Sequence, residues 1–148
     1  MLEIHTTIDI AAAPERVWQI LTDFAAYPTW NPSMRPSGLP RTGERLQLVT
    51  LKPSGERGLV FRPTVLAAEP GRELRWLGRL IVPGLFDGEH VFLIEPLGPD
   101  RVRFTQREHF TGLLVPLFAR MSLYADTRRD FIATNEALKA RAEAPSVA

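Results

Sequence analysis

With 148 residues, 45% apolar content and a formal net charge of +1, the chain is long enough to bury a sizeable core without metals or disulfides. Near-balanced charge excludes a general polyanion binder, which needs clustered basic side chains, so no nucleic-acid partner is expected. The lack of cysteine excludes disulfide frameworks, thiolate metal sites and cysteine nucleophiles.

Residues 2–10 alternate, with Leu2, Ile4, Ile8 and Ile10 on one side and Glu3, His5, Thr7 and Asp9 on the other. That period predicts a half-buried strand. Pro14 then opens a helix to about Thr22: it has no backbone N–H to lose at a helix start, and Glu15 meets the positive end of the helix dipole. Val17, Trp18, Ile20 and Leu21 give this helix one apolar face. An aromatic turn follows, carrying Asp23, Phe24, Tyr27, Trp30 and the X-Pro pairs at Pro28 and Pro32. Residues 35–43, rich in proline, glycine and serine, read as loop.

Strands are predicted over 45–52, 57–68, 72–80, 88–95 and 101–110, separated by turn residues; Pro63 bends the second of these. A five-residue loop, Pro96-Leu97-Gly98-Pro99-Asp100, joins the last two as a hairpin. This gives about six strands, mostly antiparallel. Beyond Gly112 the period changes. Leu117, Met121, Tyr124, Phe131 and Leu138 recur at helical steps, predicting one helix over about 115–142, roughly 40 Å long. A single domain over 1–144 and a frayed tail over 145–148 are expected. No basic-then-apolar segment opens the chain, and no apolar run approaches the roughly 20 residues that span a bilayer. A cytoplasmic protein without stable membrane insertion is the simplest reading.

The order strand, Pro14-led helix and Trp30-Asn31-Pro32 turn resembles the opening of the START-like (SRPBCC) superfamily. The strand Asp87-Gly88-Glu89-His90-Val91-Phe92, the strand end Gln106-Arg107-Glu108-His109-Phe110-Thr111-Gly112 and the closing Asn135-Glu136-Ala137-Leu138-Lys139 look like its bacterial polyketide cyclase/dehydrase branch. The resemblance covers the whole chain. It implies an α+β helix-grip fold, in which a curved antiparallel sheet of about six strands wraps a long C-terminal helix, with short helices after the first strand. It also implies an apolar cavity between sheet and helix that takes a lipid, quinone or polyketide-like molecule, with no cofactor. Pro63, Gly78 and Gly88 are the candidate sources of curvature.

Candidate site residues follow from strand alternation. Val102, Phe104 and Phe110 alternate with Arg103, Arg107 and His109, which turns Gln106 and Glu108 inward. If the hairpin loop pairs Glu95 with about Arg103, Phe92 lies opposite Gln106 and His90 opposite Glu108; a shift of two residues puts His90 beside Gln106. An inward histidine and carboxylate form a candidate acid–base pair for a cyclase- or dehydratase-like reaction. They equally suit orientation of a ligand, or a satisfied pair that fixes strand register. Trp30, Trp76, Phe92, Phe104, Gln106, Phe118 and Met121 are the further candidates to line the cavity. Trp18 reads as plain core. Asn135 falls near the apolar stripe of the long helix, where it either reaches the cavity or caps against the sheet. His5 and His109 sit at outward positions. Three histidines so scattered lack metal-ligand spacing, and no metal site is expected.

Two apolar segments lie where loops are expected: 80–86, from Leu80 to Phe86, and 113–118, from Leu113 to Phe118. They pack on one another, close over the cavity mouth, or dock weakly on a membrane or a second protein. Both a monomer and a homodimer are compatible with the sequence. A small-molecule binder, an enzyme using His90 and Glu108, and an interaction module are the three functional readings.

Overall fold

The computed structural model describes residues 2–80 and 82–145. Ile81 of the first apolar segment and the expected tail beyond Pro145 lie outside the described residues. The N-terminal alternation becomes β1 (Leu2–Ile10). The helix α1 (Pro14–Thr22) begins where expected, after an extended Ala13, with Val17, Ile20 and Leu21 buried and Trp18 partly buried against the same core. The aromatic turn is a 3₁₀ segment, Phe24–Thr29. Within it Tyr27 is almost fully buried and donates its hydroxyl to the Leu21 carbonyl oxygen. Burial, with the nearby Asp23 charge, raises the Tyr27 phenol far above its ordinary range.

The described residues form eight strands where about six were expected. β2 (Met34–Ser37) lies in the segment expected to be loop. It pairs antiparallel with β3 (Gln47–Leu51). The expected strand over 57–68 divides into β4 (Arg57–Phe61) and β5 (Thr64–Glu69). Pro63 causes the division, because it cannot donate to a ladder. The remaining strands are β6 (Glu73–Arg79), β7 (Asp87–Gly98) and β8 (Arg101–Thr111). A five-stranded antiparallel sheet has the order β1-β8-β7-β6-β5, and a three-stranded sheet has the order β2-β3-β4. Gly78 and Gly88 stand directly opposite one another on β6 and β7, and register shifts interrupt β5–β6 and the far end of β7–β8. Absent side chains and extra residues at these places let a sheet coil.

The C-terminal helix is two helices, α2 (Val115–Arg120) and α3 (Leu123–Glu143), instead of one. Met121 breaks it in extended conformation, with φ −92° and ψ 159°. Each piece has its own anchor. In α2, Phe118 packs on Phe86 and Phe110, with ring centroids 5.1 and 4.9 Å away. In α3, side chains cover the free edge of β1: Tyr124 Oη donates to Glu3 O (3.1 Å), Arg128 to His5 O (3.2 Å) and Lys139 to Asp9 O (3.1 Å). Capping these carbonyls blunts an edge that would otherwise pair with another chain.

The apolar segments 80–86 and 113–118 do meet. Leu113 N donates to Gly84 O (3.1 Å) and Leu114 N to Leu85 O (3.0 Å). Packing is incomplete, however. Val82, Leu113, Leu117 and Met121 stay exposed, Leu113 at 82%. The buried apolar side chains form two clusters. The larger joins α1, the 3₁₀ segment, the concave sheet and the end of α3; the smaller is built on Ile4, Phe110 and Phe131.

Candidate functional site

Between these clusters runs a chain of buried polar side chains. Its origin is β8, where the strand period turns Phe104, Gln106 and Glu108 toward α3. The register is the first of the two expected: Glu95 pairs with Arg103, Phe92 with Gln106 and His90 with Glu108. Gln106 is fully buried, His90 4% exposed and Asn135 2% exposed, so each polar group there needs a partner.

The hydrogen bonds settle one another's direction. Thr6 donates its hydroxyl hydrogen to the Gln106 carbonyl oxygen (3.1 Å), so Thr6 Oγ1 accepts from Asn135 Nδ2 (2.8 Å). Asn135 therefore turns Oδ1 to Gln106 Nε2 (2.8 Å), which also donates to Phe131 O (3.3 Å). That leaves Gln106 Oε1 facing His90 Nε2 at 2.9 Å, and an amide oxygen only accepts. His90 Nε2 consequently carries a hydrogen. His90 Nδ1 faces Glu108 Oε1 at 3.2 Å. Backbone carbonyls at one end thus dictate the tautomer at the other.

Aromatic rings wall this chain. His90 stacks between Phe92 (4.3 Å) and Phe131 (4.8 Å), with Trp76 edge-on at 5.3 Å. The Glu108 side chain retains 17% exposure, so the chain opens toward solvent at that end. Gly88 makes room for it: a Cβ there would lie 2.5 Å from Glu108 Oε2. The clash is with the movable tip of a side chain, so Gly88→Ala is expected to displace the carboxylate from His90 and change stability by less than about 1 kcal/mol. Imidazole nitrogen shifts of His90 by NMR check this; unaltered shifts would contradict it.

His90, Gln106 and Glu108 thus come together as the sequence suggests, with Trp76 and Phe92 against the imidazole. Phe104 lies behind Phe92, at 6.1 Å between rings. Trp30 packs on the edge of the larger cluster. Phe118 belongs to the smaller cluster, and Met121 is 47% exposed at the helix break. Thr6 was not singled out from sequence. Its signal is a polar residue in phase with Ile4 and Ile8 on an apolar strand face. Asn135 bonds to the sheet, the second of the two placements considered for it.

Open clefts lie elsewhere. One of about 420 Å³ separates β1 from α3, lined by Thr6, Ile8, Arg128, Ile132 and Asn135 among others. A neighbouring one of about 340 Å³ shares Arg128 and Ile132. None of the nine sequence candidates lines either. Thr6 and Asn135 do, so the polar chain runs from this cleft to Glu108. On the same helix, Asp130 is partly buried. Burial pushes its carboxyl above the ordinary carboxylate range, and Arg129 partly offsets this.

A curved antiparallel sheet around a C-terminal helix, with a polar chain buried where they meet, defines a helix-grip domain. The Polyketide cyclase / dehydrase and lipid transport family model matches residues 1–143, and the chain belongs to that family. No curated protein matches the sequence. Among solved structures, a START superfamily protein from Mycobacterium smegmatis is similar at 27% identity and TM-score 0.70, covering 95% of this chain and 97% of that one. The ZhuI aromatase/cyclase from Streptomyces sp. R1128 is similar at 19% identity and TM-score 0.74, covering 96% and 93%. A Chromobacterium violaceum protein is similar at 20% identity and TM-score 0.72, covering 97% and 98%. Among the described residues, no helix is long and apolar enough to cross a membrane.

Proposed function

We propose that the protein binds an apolar or amphipathic small molecule, of lipid, quinone or polyketide-like class, between the concave sheet and α3. The occupant's polar group is held at the His90–Glu108 pair. One observation carries this reading: an imidazole and a carboxylate in contact stand inside aromatic walls, with Glu108 still open to solvent. Membership of a family described by cyclase, dehydrase and lipid-transport activities supports it, as does a similar fold named aromatase/cyclase.

Trp76, Phe92 and Phe131 pack around His90, so an occupant enters by parting the helices from the sheet. No residue of α2 is buried, and α3 has none buried before Phe131. Few buried contacts make a segment the cheapest to open locally. The exposed side chains of Val82, Leu113, Leu117 and Met121 lie beside this cover. Hydrogen exchange is expected to be faster in residues 115–130 than in 131–142. Anilinonaphthalene sulfonate, or a molecule co-purified and identified by native mass spectrometry, is expected to slow it. Uniformly slow exchange, unmoved by any apolar probe, would count against the binding reading.

The contact between His90 Nδ1 and Glu108 Oε1 favours a second reading, proton transfer to or from a carbonyl-bearing occupant. Its signature is loss of turnover without loss of binding in Glu108→Gln.

A further inference from the structure

The cover that α3 lays along the free edge of β1 has a gap. Glu3 O, His5 O and Asp9 O accept from Tyr124, Arg128 and Lys139. The odd-numbered residues of β1 therefore turn their backbone groups away from β8, because successive residues of a paired strand alternate. Thr7 shares that phase. The helix anchors stop at His5 O and resume at Asp9 O, which leaves the Thr7 N–H and carbonyl oxygen without a partner among the described residues. The gap is the cleft of about 420 Å³, with the Thr7 edge on one side and Arg128, Ile132 and Glu136 of α3 on the other.

The walls of this cleft define what fits it. Thr6 and Asn135 are spent on the buried polar chain. The unspent groups are one backbone donor and one backbone acceptor side by side on an extended strand, and a second extended backbone matches that pair. Across the cleft, Arg128, Ile132 and Glu136 follow one another at four-residue steps, the spacing of one helix face. Asp126 and Asp130 pair with Arg129, and Glu143 with Lys139, so Arg128 and Glu136 carry no ion pair among the described residues. The face reads positive, apolar, negative. Arg128 to Glu136 is about 12 Å along the helix axis, and four steps of an extended chain cover about 13 Å. Alternate side chains of a strand point to one side, so three of them meet the three helix positions.

We infer that this cleft docks an extended segment of a partner protein, which adds to β1 as an antiparallel strand with a basic, an apolar and an acidic side chain at alternate positions. α3 runs in the direction of β1, with Tyr124 at Glu3 and Lys139 at Asp9. The antiparallel segment therefore sets its basic residue at Glu136, its apolar residue on Ile132 and its acidic residue at Arg128. The residue between the first two exchanges both backbone bonds with Thr7. None of this uses the interior at His90, so it stands or falls apart from the small-molecule reading.

The probe is the pentapeptide acetyl-Lys-Thr-Val-Thr-Glu-amide, compared with the same peptide N-methylated at its first threonine. Wild-type protein is expected to bind the parent one to one, with the Thr7 amide resonance shifting and its hydrogen exchange slowing. The N-methylated form is expected to bind about tenfold more weakly, for loss of a backbone hydrogen bond. Glu136→Arg alters an exposed side chain, so the fold is expected to tolerate it. It is expected to weaken the parent peptide about fivefold, and replacing the peptide's lysine by glutamate is expected to restore binding. Equal affinity for the parent and N-methylated peptides would show a cleft that takes side chains alone and would overturn the inference. So would failure of the parent to bind, an unmoved Thr7 amide, or a dimer of this chain that excludes the peptide.

Discussion

Replacing Gln106 by leucine is expected to lower the unfolding free energy by about 3 kcal/mol, at nearly constant side-chain volume. The cost does not come from a cavity. Gln106 spends its amide on three partners: His90 Nε2, Asn135 Oδ1 and Phe131 O. Leucine strands all three in a place where water does not reach, since Gln106 is fully buried and Asn135 almost so. An unpaired buried group costs about 1–3 kcal/mol, and relaxation recovers part of the sum. Denaturant unfolding should show a lower midpoint with an unchanged slope. The effect should also be non-additive. In an Asn135→Leu background the same substitution is expected to cost less, because one stranded acceptor is already gone. A loss below about 1 kcal/mol in the single variant would mean that the chain is not a coupled unit.

The same chain shows what a linear sequence can and cannot reveal. Period-two alternation on β8 narrowed the partner of His90 to Glu108 or Gln106, because a one-residue slip would turn Phe104 and Phe110 to solvent. It could not separate registers two residues apart. The turn is only residues 99–100, since β7 runs on to Gly98 where a five-residue loop was expected. The family-like order of elements similarly foretold the curved sheet and its helix. What escaped depends on contacts made at a distance. β2 contains Pro36 and is flanked by turn residues, so nothing local marks it as a strand; it forms because Met34 and Pro36 are buried and β3 supplies a ladder. The break at Met121 has no glycine or proline to announce it. It arises because Phe118 is held by Phe86 and Phe110 while Tyr124 is held by the Glu3 carbonyl, along two lines that one straight helix does not satisfy. That break is also why Met121 faces outward while Phe131 and Asn135 of α3 point in. Thr6 was hidden for a different reason: threonine is unremarkable on a strand until its hydroxyl is seen to anchor an amide chain.

Gly112→Ala is expected to be the most damaging change in the cover of the site. The residue sits at φ +121°, where side chains are rarely tolerated, and a Cβ would lie 2.5 Å from Leu85 O, 2.7 Å from Leu85 C and 2.9 Å from Gly84 O. These are backbone atoms, so no rotamer change relieves the overlap, in contrast to Gly88, which faces a carboxylate tip. Room appears only if the 113–118 segment lifts away from the 80–86 segment. Lifting breaks the bonds from Leu113 N to Gly84 O and from Leu114 N to Leu85 O, and it withdraws Phe118 from Phe86. Backbone strain of this kind costs about 1–3 kcal/mol, and the lost contacts add to it. The damage should be local at first. Exchange protection is expected to fall in residues 84–86 and 112–120, while Gln106 and the end of α3 hold, since the chain from Thr6 to His90 does not run through this contact. Gly112→Ala should therefore expose the site and raise the on-rate of an apolar probe even as the protein loses stability. Slower probe entry with protection intact would show that the two apolar segments are not the cover over His90 and Glu108.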